Sequence, residues 1–218
     1  MLKARRLLEI SDLIREYFPS CETVGCFARV TDVASKTDEE LAVLREAGYT
    51  GLTIGIETGD DAALAFMNKG YAAQDIVAQC ARLDAAGIAY AFFYLAGISG
   101  KGHGIEGARL TAAVCNQTRP SLIGANMLTI YKNSELYQEV IAGNWEEETE
   151  IEKYQEIKAL VDGLEIPVEF AMLGASNPVM MQGRLPEQRA QIIAALDRVI
   201  DEIGEDKLRN YRTNLRHL

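Results

Sequence analysis

The sequence predicts an α/β fold, a parallel sheet of successive strand–helix units forming one domain over residues 1–218, and three observations carry that reading. Short apolar runs, Leu52 to Ile56, Ala89 to Ala96 and Leu122 to Ile130, read as strands separated by segments of helical periodicity. The helix ending Leu-x-x-Ala-Gly occurs at Leu44 to Gly48 and again at Leu83 to Gly87, a recurrence of about 40 residues that suits repeated βαβ units. One strand, Gly51 to Glu57, opens on glycine, carries apolar Leu52, Ile54 and Ile56, and stops abruptly on a carboxylate. The carboxyl edge of a parallel sheet is where ligands bind, because its loops open outward and helix N-termini point into the crevice.

Taken in order, Leu7, Ile10, Leu13, Ile14, Tyr17 and Phe18 give an amphipathic helix from about Leu2 to Phe18, which Pro19 ends. The first strand is Thr23 to Val30, with Cys26 as a small core residue. Thr37 and Glu40 have capping-box spacing, and the helix they start closes at Ala47-Gly48. After the Glu57 strand, Thr58-Gly59-Asp60 turns the chain, and Asp60 and Asp61 open a short helix over Ala62 to Met67. A longer helix follows from Ala72 to Ala86, with Ile76, Val77, Cys80 and Leu83 on one face.

Ala89 to Ala96 is the next strand, and Gly97, Gly100 and Gly102 follow it closely. Such a loop suits either close approach to a ligand or a surface excursion. A helix over Ile105 to Thr118 leads to the strand Leu122 to Ile130, and Ser134 starts a short helix containing Leu136, Tyr137 and Val140. The acidic run Glu146 to Glu152 reads as the solvated face of a helix that continues to Gly163. Pro167 to Leu173 is the last strand, Gly174 to Pro178 a turn, and Gly183-Arg184-Leu185-Pro186 the approach to a final helix from Glu187 to Ile203. About four complete units and a fifth strand curve into an incomplete barrel that need not close.

Composition narrows the function. Of 218 residues, 48% are hydrophobic and 25% charged, the balance of an ordinary globular domain. A net charge of −10 argues against a sequence-independent nucleic-acid surface. No run reaches the ~18 apolar residues of a membrane span, and Glu9 and Asp12 interrupt the basic N-terminus where a signal peptide needs an apolar core. A cytoplasmic location is the default expectation. Cys21, Cys26, Cys80 and Cys115 lack paired zinc or disulfide spacing, and His103 and His217 give little material for histidine catalysis.

The wording Ile54-Gly55-Ile56-Glu57-Thr58-Gly59, followed one short helix later by Asn68-Lys69-Gly70, resembles the radical S-adenosylmethionine (radical SAM) superfamily. Thr58 stands where that branch commonly has Ser. Weaker likenesses follow in the same order: Leu44 to Gly48, the glycine loop after Ala96, Leu136-Tyr137, Ala175-Ser176-Asn177, and Gly183 to Pro186. The resemblance implies an incomplete TIM-barrel-like radical SAM core. It implies S-adenosylmethionine as cofactor and, in an intact relative, a 4Fe-4S cluster held by a Cys-x3-Cys-x2-Cys loop. With the cluster, such an enzyme generates a 5′-deoxyadenosyl radical that abstracts hydrogen from a substrate, here unknown. This sequence has no such loop, so the chain is expected to hold no cluster and to be inactive by itself. It reads as the later two-thirds of the core, with two strands and the cluster loop expected ahead of its first helix.

By that resemblance Glu57, with Gly55 and Thr58 beside it, sits where the ribose hydroxyls or methionyl end of S-adenosylmethionine are contacted. Gly97 and Ile98 match the adenine-side backbone, and Met127 and Thr129 the strand whose backbone reaches the adenine amino group. Lys69 is either a partner for the methionine carboxylate or a solvated lysine, and Glu57 either a cofactor contact or the ion-pair partner of Lys69. The alternative function is a truncated α/β module without redox chemistry that binds a nucleotide or a partner. Loss of preceding strands would leave the edge at Thr23 to Val30 unpaired, from which either a homodimer through that edge or a rearranged N-terminal segment that covers it is expected.

Overall fold

The computed structural model describes residues 1–214. The chain runs α1 (Ala4–Tyr17), β1 (Val24–Arg29), α2 (Val30–Ala34), α3 (Asp38–Glu46), β2 (Tyr49–Glu57), α4 (Asp61–Phe66), α5 (Ala73–Ala86) and β3 (Ala89–Ala96). It continues with α6 (Gly104–Cys115), β4 (Leu122–Met127), α7 (Glu135–Ala142), α8 (Glu150–Gly163), β5 (Val168–Met172), β6 (Met181–Leu185), α9 (Arg189–Glu202) and α10 (Glu205–Thr213). Among the described residues the six strands form one sheet in sequence order, parallel from β1 to β5, with β6 antiparallel to β5. The sheet is open: β1 and β6 are its two edges.

Period-2 patterning decides what each face does. In β2, Leu52, Ile54 and Ile56 are buried, whereas Gly51, Thr53, Gly55 and Glu57 are only half-buried. β3 repeats this, with Tyr90, Phe92, Tyr94 and Ala96 buried and Ala91, Phe93 and Leu95 half-buried. The buried set joins Ile76, Cys80 and Leu83 of α5, Ala108, Ala112 and Cys115 of α6, and Tyr154, Ile157 and Leu160 of α8 in one core. Helices therefore cover one face and leave the other open. On that open face the Phe27 and Phe93 rings stack across β2 with centroids 6.4 Å apart, and Phe27 stays 74% exposed.

Four sequence expectations need correction. The first strand stops at Arg29, where Asp32 accepts the Arg29 N–H and starts α2, so Val30 is helical. The fourth strand ends at Met127 instead of Ile130. Gly183 to Leu185 belong to β6 and pair with Val168 to Phe170, a return strand that the helix-start reading missed. The acidic run is not a solvated helix face: Glu146 to Thr149 precede α8, and Glu148, Glu150, Lys153 and Glu156 are buried. Arg212 of α10 and Lys153 pair with Glu150 at 3.0 and 3.3 Å, and that pairing is what admits a carboxylate to the interior.

Candidate ligand site at the carboxyl edge of the sheet

β2 ends in an irregular step. The register with β3 shifts between Gly55 and Glu57, and Glu57 has φ of 60°, a left-handed conformation that costs a non-glycine residue about 1–2 kcal/mol. The twist folds the Glu57 carboxylate back over Gly55, where a β-carbon would lie 3.1 Å from Oε1. Gly55 therefore provides the space in which the carboxylate sits. Such strain concentrates at functional sites.

Asn68-Lys69-Gly70 explains the partner. Asn68 has φ of 50° and Gly70 of 76°, values that Asn and Gly adopt most readily. Two left-handed residues turn the chain at the end of α4, and Lys69 is carried back until Nζ lies 3.3 Å from Glu57 Oε1. Both side chains are about three-quarters buried. Tyr71, two residues on, donates its hydroxyl to the carbonyls of Ile56 and Gly55 at 3.0 and 3.3 Å. Burial and then the Glu57 charge raise its pKa, so it remains a neutral donor that pins the strand end.

The remaining candidate residues divide by the face they occupy. Thr58 is fully buried on the helix side, its Oγ1 3.2 Å from Thr111 Oγ1 and accepting the Asp60 N–H. Ile98 and Met127 are buried too and can offer only backbone. Gly97 has φ of 91° and its N–H donates to Glu156 Oε2 at 2.7 Å, so that donor is engaged within the protein. Thr129 differs, because its Oγ1 is buried without a hydrogen-bond partner. It lines a cavity of about 310 Å³ together with Leu95, Asn126, Tyr131 and Ala175. Asn177 closes the back of this region, donating to the Ala125 carbonyl at 2.9 Å while its own Oδ1 lacks a partner.

The structure thus gathers Glu57, Lys69 and Gly55 at one point of the edge and Thr129 at another, with Leu95 and Asn126 between them in register. Sequence reasoning missed Tyr71, Asn126 and Tyr131. Asn126 was discoverable, since alternation along β4 places it on the face opposite Met127.

No protein-family model matches the chain, and no curated protein does. Among solved structures it superposes on coproporphyrinogen III oxidase from Escherichia coli, a radical SAM enzyme, with a TM-score of 0.61 and 13% identity over 74% of this chain and 36% of that one. The chain has the fold of part of a radical SAM enzyme. It also superposes on the archaeal Elp3 of Methanocaldococcus infernus, with a TM-score of 0.58 and 16% identity over 69% of this chain and 35% of the other. The chain therefore spans about a third of the length of each structure, and at these identities the likeness is one of fold.

The cysteines of this chain do not converge. Cys21 is exposed, Cys26 lies half-buried with its sulfur 3.6 Å from that of Met1, and Cys80 and Cys115 are buried. Burial pushes the Cys80 thiol up to about 12 and raises Cys115 as well, so neither is a thiolate near neutral pH. Among the described residues no three His, Cys, Asp or Glu side chains are placed to hold a metal ion. His217 lies outside the described residues. A cluster that needs three thiolates does not fit the donor set of this chain. Along the edge lie the Glu57 carboxylate, the Thr129 hydroxyl without a partner and the partly exposed Tyr131 ring.

Proposed function

We propose that the open carboxyl edge of the sheet binds S-adenosylmethionine, and that this chain supplies the cofactor-side portion of a radical SAM catalyst whose cluster ligands lie elsewhere. The supporting observation is Glu57, a carboxylate held in a strained backbone conformation over a glycine, at the carboxyl end of β2. An ionised carboxylate accepts from two ribose hydroxyls or from the methionyl ammonium, and either contact is charge-assisted. Lys69 satisfies Glu57 in the free protein and can move to the methionine carboxylate. Thr129 gives its unpartnered hydroxyl to the adenine end, with Leu95 and Tyr131 as apolar walls. When bound beside a reduced cluster, S-adenosylmethionine supplies a hydrogen-abstracting radical; the residues here bind and orient it.

Calorimetric titration with S-adenosylmethionine tests this. Wild type should bind, and Glu57→Gln should bind about tenfold more weakly, the loss of a charge-assisted bond of about 1.5 kcal/mol. Equal affinities would remove Glu57 from the site. One observation favours the second reading, a partner-binding module without redox chemistry. Phe27 is 74% exposed on an edge strand with a single sheet neighbour, and an unpaired edge beside an apolar ring is a surface that another chain can cover. Absence of any adenosyl binding, together with association lost in Phe27→Lys, would favour it.

A further inference from the structure

Away from the open face lies a buried acidic cluster that cofactor binding does not use. Glu148 and Glu156 are both buried and together hold the two ends of the loop after β3. Glu156 Oε2 accepts the Gly97 N–H at 2.7 Å, and Glu148 Oε1 accepts the Gly104 N–H at 3.0 Å. The Tyr94 hydroxyl donates to Glu156 Oε1. The two carboxyl groups meet beside Gly104, where a β-carbon would overlap Glu148 and lie 2.7 Å from Glu156 Oε2. Glu148 Oε2 is buried and has no hydrogen-bond partner among the described residues. Two buried carboxylates this close cannot both stay ionised cheaply.

We propose that Glu148 and Glu156 share one proton and form a clasp on both ends of the Gly97 to Gly104 loop, closed while the proton is held and opened when it passes to solvent. The loop walls a cavity of about 480 Å³, contributing Ile98, Ser99, Gly100 and Lys101 opposite Phe66 and Trp145. The clasp therefore sets whether that cavity is formed. Desolvation raises the Glu156 pKa well above its ordinary value, and Glu148 adds to the rise; burial raises Glu148 also.

Neutral and charged groups face the pair from several elements, with Glu152 raising and Lys153 lowering the Glu148 pKa. Tyr94 faces it from β3 and Cys115 from α6, both neutral because burial raises their pKa values. From α8 and the segment before it come Glu147, Glu150, Glu152 and Lys153. Lys153 is a buried cation near the pair, and its ammonium pairs with Glu147 at 2.6 Å and Glu150 at 3.3 Å. Its stem supports the loop instead: a β-carbon on Gly97 would lie 2.9 Å from Lys153 Cε. Lys101, paired with Glu146, and His103 are exposed at the solvent end.

The chain's single tryptophan reports on this loop, since the Trp145 indole packs on Gly100, where a β-carbon would be 2.8 Å from Nε1. Tryptophan fluorescence followed from about pH 5 to about pH 9, with protection factors for the Gly97 and Gly104 amides, tests the clasp without any ligand. Wild type should show one transition with a midpoint above 4.5, the ordinary value for glutamate, and both amides should lose protection in step with it. Glu156→Gln, which has no proton to release, should show no transition, and its Gly104 amide should keep protection about tenfold above wild type at the alkaline end. His103→Gln should retain the transition. Constant wild-type fluorescence, the same transition in Glu156→Gln, or its loss in His103→Gln would each overturn the proposal. The wild-type and His103→Gln titrations stand even if Glu156→Gln fails to fold.

Discussion

Glu57 is where backbone cost and chemistry meet. Replacement by glycine and by glutamine removes the same charge, but only glycine adopts a φ of 60° freely. Glu57→Gly should therefore be more stable than Glu57→Gln by about 1 kcal/mol in urea unfolding. Equal stabilities would mean that the strand end relaxes and holds no strain. Gly104→Ala is the converse case: with Glu148 and Glu156 filling the space of a β-carbon, it should destabilise by about 3 kcal/mol. Glu57 was legible because a strand that ends on a carboxylate is a local pattern, and Asn68 to Gly70 sharpened it. The Glu148–Glu156 pair was not, because Tyr94 and Glu156 stand 62 residues apart and nothing local distinguishes a buried glutamate from a solvated one.

Elements announced by capping and periodicity were legible for the same local reasons. Thr37 accepts the Glu40 N–H at 3.1 Å and Glu40 accepts the Thr37 N–H at 3.0 Å, the reciprocal pair that the spacing implied. Thr37→Ala should cost about 1 kcal/mol, seen as a shifted urea midpoint at unchanged slope. β6 escaped because only Gly183 and Leu185 of its residues are buried and its pairing with β5 is entirely non-local. The acidic run misled for a different reason. Its charge suggested water, whereas Arg212, 62 residues away from Glu150, supplies the compensation that lets part of it turn inward.

For the whole molecule, the open sheet and the buried carboxyl pair each have a measurable consequence. The unpaired outer side of β1, with Phe27 exposed beside it, should promote concentration-dependent association in light scattering, and Phe27→Lys should abolish it. The pair governs pH dependence. Glu156 keeps its proton in the folded state above 4.5, where the unfolded chain releases it, so its contribution to stability is complete below 4.5 and declines as pH rises toward the raised folded value. Glu156→Gln should flatten that decline. The central proposal, that the carboxyl edge of this sheet is an adenosyl site, is tested most directly by amide chemical-shift mapping with S-adenosylmethionine. The site predicts saturable shifts at Glu57, Lys69, Leu95, Asn126 and Thr129, with β1 to β4 undisturbed at their amino ends. No shifts, or shifts confined to other parts of the chain, would contradict it.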